Sequence, residues 1–213
     1  MPETDMPIVR PSEFPGEDEH SPATIRGILL AAGTSSRYGE QNKLLQTVSG
    51  TPMVRLVAET LLESTVDGVT VVVGHEDDRV TAAVADLDVS IRINDQYATG
   101  QSTSVRTGIS EATNQDADAA LIALGDMPWV NTATIDHLAE AYRLGVGEIL
   151  VATYDGNRGN PVLFGRRFFD ALMEVEGDVG GRTLLFESDE TAGIETGDPG
   201  VLRDIDRPED LPE

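Results

Sequence analysis

The sequence predicts an α/β fold, a mostly parallel sheet with helices packed on its faces. From Ile25 onward, short aliphatic or β-branched runs alternate with amphipathic stretches, the pattern of strands joined by crossover helices. Val69–Val73 is a valine run interrupted only by Thr70, which marks a strand covered on both faces. At 213 residues and 39% apolar content, the chain closes one core and needs no second domain.

Residues 25–32 form the first expected strand. A helix should follow over 52–64, because Thr51 can cap it, Pro52 suits its first position, and Met53, Val54, Val57, Ala58, Leu61 and Leu62 recur on one side. Asp67-Gly68 breaks the chain before the valine strand. A helix over 77–87, a third strand over 89–93, a polar loop over 94–102 and a helix over 103–113 continue the alternation. The fourth strand, 119–124, runs into Gly125-Asp126-Met127-Pro128, and Asn131 is placed to cap a helix in which Ile135, Leu138, Ala139 and Tyr142 keep helical spacing as far as Gly145. The apolar runs 149–153 and 161–164 are separated by a turn-rich stretch too short for a helical crossover, so they are expected to be antiparallel. Residues 166–175 read as a helix, 177–181 as a loop, 182–186 as a further helical turn or two, and 201–205 as the last strand. Five prolines among acidic residues make 1–24 an expected flexible leader, with one domain over 25–213.

The formal net charge is −23, from 38 acidic against 15 basic residues. Non-specific nucleic-acid binding and docking to anionic membranes are electrostatically disfavoured at that charge. Only one of the basic residues is lysine, Lys43, and the other 14 are arginine. Such a composition is expected of a protein working in concentrated salt, where screening removes most self-repulsion. With no cysteine, disulfides, thiolate metal sites and thiol catalysis are excluded. A reducing cytoplasm fits. No run approaches the length of a membrane span, and the N-terminus lacks the order of a signal peptide.

Ligands of open α/β sheets sit at the carboxyl ends of the parallel strands. Three polar segments are expected there: 33–43 after the first strand, 94–104 after the third and 125–128 after the fourth. The first fits neither common phosphate motif, since Gly33 and Gly39 do not match G-x-G-x-x-G and no Gly-Lys-[Ser/Thr] follows. It remains a small-residue loop offering backbone N–H groups to an anion, with Arg37 forked for phosphate oxygens and Lys43 as a point charge. Asp126 beyond a buried strand, paired with Asp206 at another strand end, would suit Mg²⁺, which takes one or two carboxylates and completes its shell with water and phosphates; a turn-forming aspartate before proline is the other reading of each. Asp204 and Asp210 read as surface charge or helix cap. Gln101, Ser102, Thr103 and Ser104 make a polar helix start able to meet phosphate, ribose or base. His20, His75 and His137 do not cluster, and no Ser-His-Asp arrangement is visible.

Six motifs in order then resemble a known family: Leu30-Ala31-Ala32-Gly33-x-Ser35-x-Arg37-x-Gly39-x-x-x-Lys43, Gly100-Gln101-Ser102-x-Ser104, Gly125-Asp126-Met127-Pro128, Gly159-Asn160-Pro161, Gly177-Asp178-x-Gly180 and Asp204-Ile205-Asp206-x-Pro208-Glu209-Asp210. They are similar to the MobA-like nucleotidyltransferases, and most of all to the molybdenum cofactor cytidylyltransferases. The resemblance implies a Rossmann-like fold of the nucleotide-diphospho-sugar transferase type. It implies that Leu30, Ala31, Ala32, Gly33, Thr34, Ser35, Gln101, Ser102 and Ser104 hold the nucleotide, that Arg37, Lys43 and Asp126 are catalytic, and that Asp126 and Asp206 hold Mg²⁺. Asn160 and Asp178 would meet the acceptor. Asn160 replaces a histidine usual before Pro161 in the cytidine-using branch, whereas Ala31-Ala32 looks like that branch. The implied partners are a nucleoside triphosphate, CTP foremost, a phosphorylated pterin or other small acceptor, and a molybdoenzyme apo-protein. A different class of function, a non-catalytic maturation factor carrying a pterin cofactor, predicts binding without Mg²⁺-dependent turnover. In the transferase reading, Arg37 and Lys43 should face the metal-bound aspartates across a gap wide enough for a triphosphate.

Overall fold

The computed structural model describes residues 6–16, 22–34, 38, 41–177, 184, 188 and 190–211. Its centre is an eight-stranded sheet. In chain order the elements are β1 (Ile8–Val9), β2 (Ile25–Ala31), the short pair β3 (Thr47–Val48) and β4 (Thr51–Pro52), α1 (Met53–Leu62), β5 (Val69–Val73), α2 (Asp77–Ala83), β6 (Val89–Ile93), α3 (Gln101–Asn114), β7 (Ala119–Leu124), α4 (Thr132–Arg143), β8 (Ile149–Tyr154), β9 (Asn157–Gly165), α5 (Phe169–Glu174) and β10 (Thr191–Glu195). The sheet order is β1-β10-β8-β9-β7-β2-β5-β6. Only β9 is antiparallel to its neighbours β7 and β8, and every other pairing in this sheet is parallel. This is a Rossmann-like α/β architecture.

Period-2 alternation sends side chains of each inner strand to opposite faces. Leu29, Val71, Val73 and Leu121 join a core with Val54, Val57 and Leu61 of α1 and Leu138 of α4. Ile28, Leu30, Val72 and Ile122 meet Val105 and Ile109 of α3 and Phe169 and Leu172 of α5. Both faces are therefore covered, which is why β5 reads as a continuous apolar run.

The expected antiparallel pair is present, and β9 is longer than its apolar run, starting at Asn157. A register irregularity lies between Val151 and Thr153 opposite residues 159–161, and Pro161, which has no N–H to donate, sits in that interruption of the ladder. One expectation is corrected. The apolar run 201–205 is not a strand: Pro199–Leu202 is a 3₁₀ turn, with Pro199 in its first turn and the Asp198 carboxylate accepting from Gly200 N–H at 2.8 Å. The strand at that side of the sheet is β10, whose sequence Thr-Ala-Gly-Ile-Glu is too weakly apolar to signal itself and is held by pairing with β8. Within the stretch read as a leader, Ile8–Val9 adds an edge strand to β10, and Phe14 packs on the core. Smaller differences concern caps. Pro52 rather than Thr51 is the cap residue of α1, and Asn131 caps α4 without a side-chain bond of its own. The loop over 177–181 and the helical turn over 182–186 fall almost wholly outside the described residues.

Candidate functional site

A cleft of about 490 Å³ opens at the carboxyl ends of β2 and β7, a volume usual for small-molecule sites. Its charged floor is assembled from three separate chain segments. Asn42 is buried and its Oδ1 accepts from Leu44 N–H at 3.1 Å, starting the 3₁₀ turn Lys43–Leu45, while Leu44 is buried beneath. That turn has little freedom, so Lys43 is aimed. Gly125 lets it approach β7: a Cβ there would stand 3.1 Å from both Leu30 C=O and Leu44 Cδ2. Asp126 follows at once.

The third segment is 204–206. Ile205 is fully buried against Tyr38 and Met53, and its N–H donates to Asp126 C=O at 2.9 Å. In an extended run the flanking residues point the other way, which explains why Asp204 and Asp206 both turn toward Asp126. The three carboxylates each offer an oxygen, all within 4.8 Å of one another. Asp210 fixes the backbone beyond, its Oδ2 accepting from Asp206 N–H at 3.0 Å and Arg207 N–H at 2.8 Å. Asp210 is thus a cap, as expected, whereas Asp204 is exposed and also belongs to the carboxylate cluster.

Lys43 Nζ lies 2.6 Å from Asp126 Oδ2 and 3.0 Å from Asp206 Oδ1. The expected open gap between amine and aspartates is therefore absent: cation and carboxylates are in direct contact. The reason is charge balance, since a lysine and acidic groups sharing a partly buried floor neutralise one another. Burial pulls the ammonium pKa down, but the charges and hydrogen bonds of Asp126 and Asp206 outweigh it and the net shift is upward. Lys43 stays charged. Nearby, burial and then the charge of Asp210 push the Tyr38 phenol above its usual range.

The opposite wall is organised by Asn94. Its buried side-chain amide donates to Thr103 Oγ1 at 2.8 Å and Ser104 Oγ at 2.9 Å, and its Oδ1 accepts from Gln96 N–H at 3.0 Å. This ties the loop carrying Tyr97 and Ala98 to the first turn of α3, where Gln101 and Ser104 reach the cleft. Structural bonding, rather than ligand readiness, accounts for the Thr103 hydroxyl.

Of the residues singled out in the sequence, Leu30, Ala32, Gly33, Thr34, Lys43, Gln101, Ser104, Asp126 and Asp206 line this one cleft. Ala31 and Ser102 are buried behind it. Asn160 lies beside a separate void of about 10 Å³ with Leu124, Met127 and Pro161. Ser35, Arg37 and Asp178 fall outside the described residues. Tyr38, Tyr97 and Asp204 are additional. Asp204 carried a signal in its Asp-Ile-Asp alternation; Tyr97 carried none, because nothing local distinguishes it from a packing tyrosine.

The donor set suits a hard divalent cation: three carboxylates, no nitrogen or sulfur ligand among them. Comparisons with known proteins bear on the family. The MobA-like NTP transferase domain family matches residues 27–192. The chain is 32% identical to the purine catabolism protein PucB of Bacillus subtilis, covering 86% of this chain and 92% of that protein. It is 28% identical to the nicotine blue oxidoreductase of Paenarthrobacter nicotinovorans, over 88% of this chain and 94% of that one. A nucleotidyl transferase structure from Methanothermobacter superposes with a TM-score of 0.76 at 25% identity, covering 88% of this chain and 94% of the other. The cleft, its carboxylate floor and these similarities lead to one conclusion: the chain belongs to the MobA-like NTP transferase family, with chemistry of the nucleotidyltransferase type.

Proposed function

We propose that the protein transfers a CMP unit from CTP to the phosphate of a small acceptor, foremost molybdopterin, and releases pyrophosphate. The observation that carries the reading is the contact of the chain's single ammonium side chain with Asp126 and Asp206 on the floor of the cleft. Mg²⁺ would be held by Asp126 and Asp206, with Asp204 as a third ligand, and when bound would offset negative charge on the triphosphate. Lys43 binds and orients phosphate oxygens. Its flexible four-carbon stem lets the amine turn from the carboxylates toward them.

In the step itself, an oxygen of the acceptor phosphate forms a bond to the α-phosphorus of CTP while the bond from that phosphorus to the α,β-bridging oxygen breaks. The electron pair leaves on pyrophosphate. A phosphate nucleophile is already ionised, so no general base is required, and positioning with electrostatics can supply the rate. Gly33, Thr34 and Gln101 line the cleft, and in this reading their backbone N–H groups would cradle the nucleotide. Ala31-Ala32 favours cytidine by resemblance to the cytidine-using branch.

The test is pyrophosphate release in high salt with Mg²⁺, each of the common nucleoside triphosphates, and molybdopterin, a sugar phosphate or an isoprenoid phosphate as acceptor. CTP with molybdopterin should be the most active pair. Release with another pair keeps the transferase but overturns donor or acceptor, and saturable CTP binding without release under any condition overturns catalysis in favour of a carrier.

A further inference from the structure

Beside the carboxylate floor stands a guanidinium that the reaction above does not use. Arg203 lies over the ring of Trp129, with its central carbon 4.1 Å from the ring centroid. Trp129 is the chain's single tryptophan and packs on the cluster of Tyr38, Met53 and Ile205. The pair is anchored to the site from both ends. Trp129 follows Asp126 by three residues and Arg203 directly precedes Asp204. The turn carrying Arg203 abuts the Trp129 backbone so closely that a Cβ on Gly200 would stand 2.1 Å from Trp129 C=O.

Neither residue lines the cleft itself, and the pair stands on the flank nearest β8 and β9. Tyr97 and Gln101 line the cleft from the loops beyond β6, whereas the Pro199–Leu202 turn packs on β8 and β9, on the far side of β7. In the extended backbone from Arg203 onward, Arg203 shares Ile205's side and Asp204 and Asp206 take the other. The arginine therefore flanks the acidic cluster without being neutralised by it.

Stacking occupies a guanidinium's face and leaves its N–H edges in the plane free for an oxyanion. Among the described residues those edges make no ion pair and no side-chain hydrogen bond, although Arg55, Arg79, Arg92, Arg143, Arg166 and Arg167 each hold a carboxylate. In a chain of net charge −23, a guanidinium left open beside the site is a place for an anion that arrives with the substrate. We propose that Arg203, held flat on Trp129, binds the phosphate of a phosphomonoester acceptor and selects for it. This rests on the transferase reading for the word acceptor; the anion site itself does not.

Trp129 supplies the readout. The full chain is saturated with Mg²⁺ and a CTP analogue bearing a methylene bridge between its α and β phosphates, then titrated with phenyl phosphate while tryptophan fluorescence is followed. A saturable change is expected, weakened by about tenfold to a hundredfold in Arg203→Ala, the scale of losing charge-assisted hydrogen bonds, and partly kept in Arg203→Lys. Arg203 is exposed, so both variants should melt like the parent, and their affinity for the CTP analogue should be unchanged. An unaltered titration in Arg203→Ala, or no saturable change in the parent, overturns the proposal. The two readings fail separately: Arg203-dependent binding without pyrophosphate release from any nucleotide sinks the transferase and keeps the anion site, and release with an unchanged acceptor KM in Arg203→Ala does the reverse.

Discussion

Lys43 brings an ammonium between two carboxylates whose side chains are only 19% and 33% exposed, and its removal has two separable effects. Lys43→Ala should reduce pyrophosphate release by on the order of a hundredfold to a thousandfold, as loss of a preorganised electrostatic contact does. It should also lower Tm, because Asp126 and Asp206 then face each other uncompensated. Activity near that of the parent would remove Lys43 from the machinery. Asp204→Asn tests the ligand that the sequence reading assigned to the surface: the Mg²⁺ concentration for half-maximal turnover should rise by about tenfold, while an unchanged requirement would return Asp204 to a surface role. Away from the site, Glu111 is buried and receives Arg92 Nε at 2.7 Å and Nη2 at 2.6 Å. Those bonds hold its carboxyl below the ordinary value of 4.5. A depressed carboxyl contributes stability that is complete above pH 4.5 and is lost as pH falls through the lower folded value. Arg92→Ala should therefore cost about 2 kcal/mol at neutral pH and progressively less in acid, which denaturant melts at pH 7 and pH 3 would measure.

At the scale of elements, the 198–206 segment positions two of the three carboxylates, and Asp198 is its clamp. This buried side chain accepts from Asn131 N–H at 2.8 Å, Thr134 Oγ1 at 2.7 Å and Gly200 N–H at 2.8 Å. It thereby joins the start of α4 to the turn that leads to Asp204. Asp198→Ala strands those donors and should destabilise the chain by about 3 kcal/mol, with a higher Mg²⁺ concentration for half-maximal turnover as the second sign that the segment has loosened. Gly159 makes the opposite contact from β9. A Cβ there would stand 2.1 Å from Val201 C=O, a backbone atom that cannot swing aside, so Gly159→Ala should lower Tm and displace the same segment. Normal melting and turnover in Gly159→Ala would show that this docking is dispensable.

At the scale of the whole molecule, a charge of −23 on 213 residues repels itself at distances that salt can screen. The Debye length falls from about 10 Å at 0.1 M to about 3 Å at 1 M. Tm should climb steadily as NaCl is raised over that range, and a flat or falling curve would remove the salt-adaptation reading. No helix among the described residues is long and apolar enough to cross a membrane.

The alternation of strand and helix, the burial of β5 and the antiparallel turn into β9 were legible in the chain because they are local patterns of period and turn chemistry. So were Lys43, Asp126 and Asp206, each of which follows a recognisable run or motif. What no local pattern could carry was pairing between distant segments. β10 exists because β8 offers it a ladder, not because its own residues favour a strand. Asp204 joins Asp126 because Ile205 must be buried and its N–H must find the Asp126 carbonyl, and the amine sits on the aspartates because opposite charges on a half-buried floor neutralise each other. Residue type is written in the chain; which charges end up sharing one site depends on packing between parts of it that are far apart in sequence.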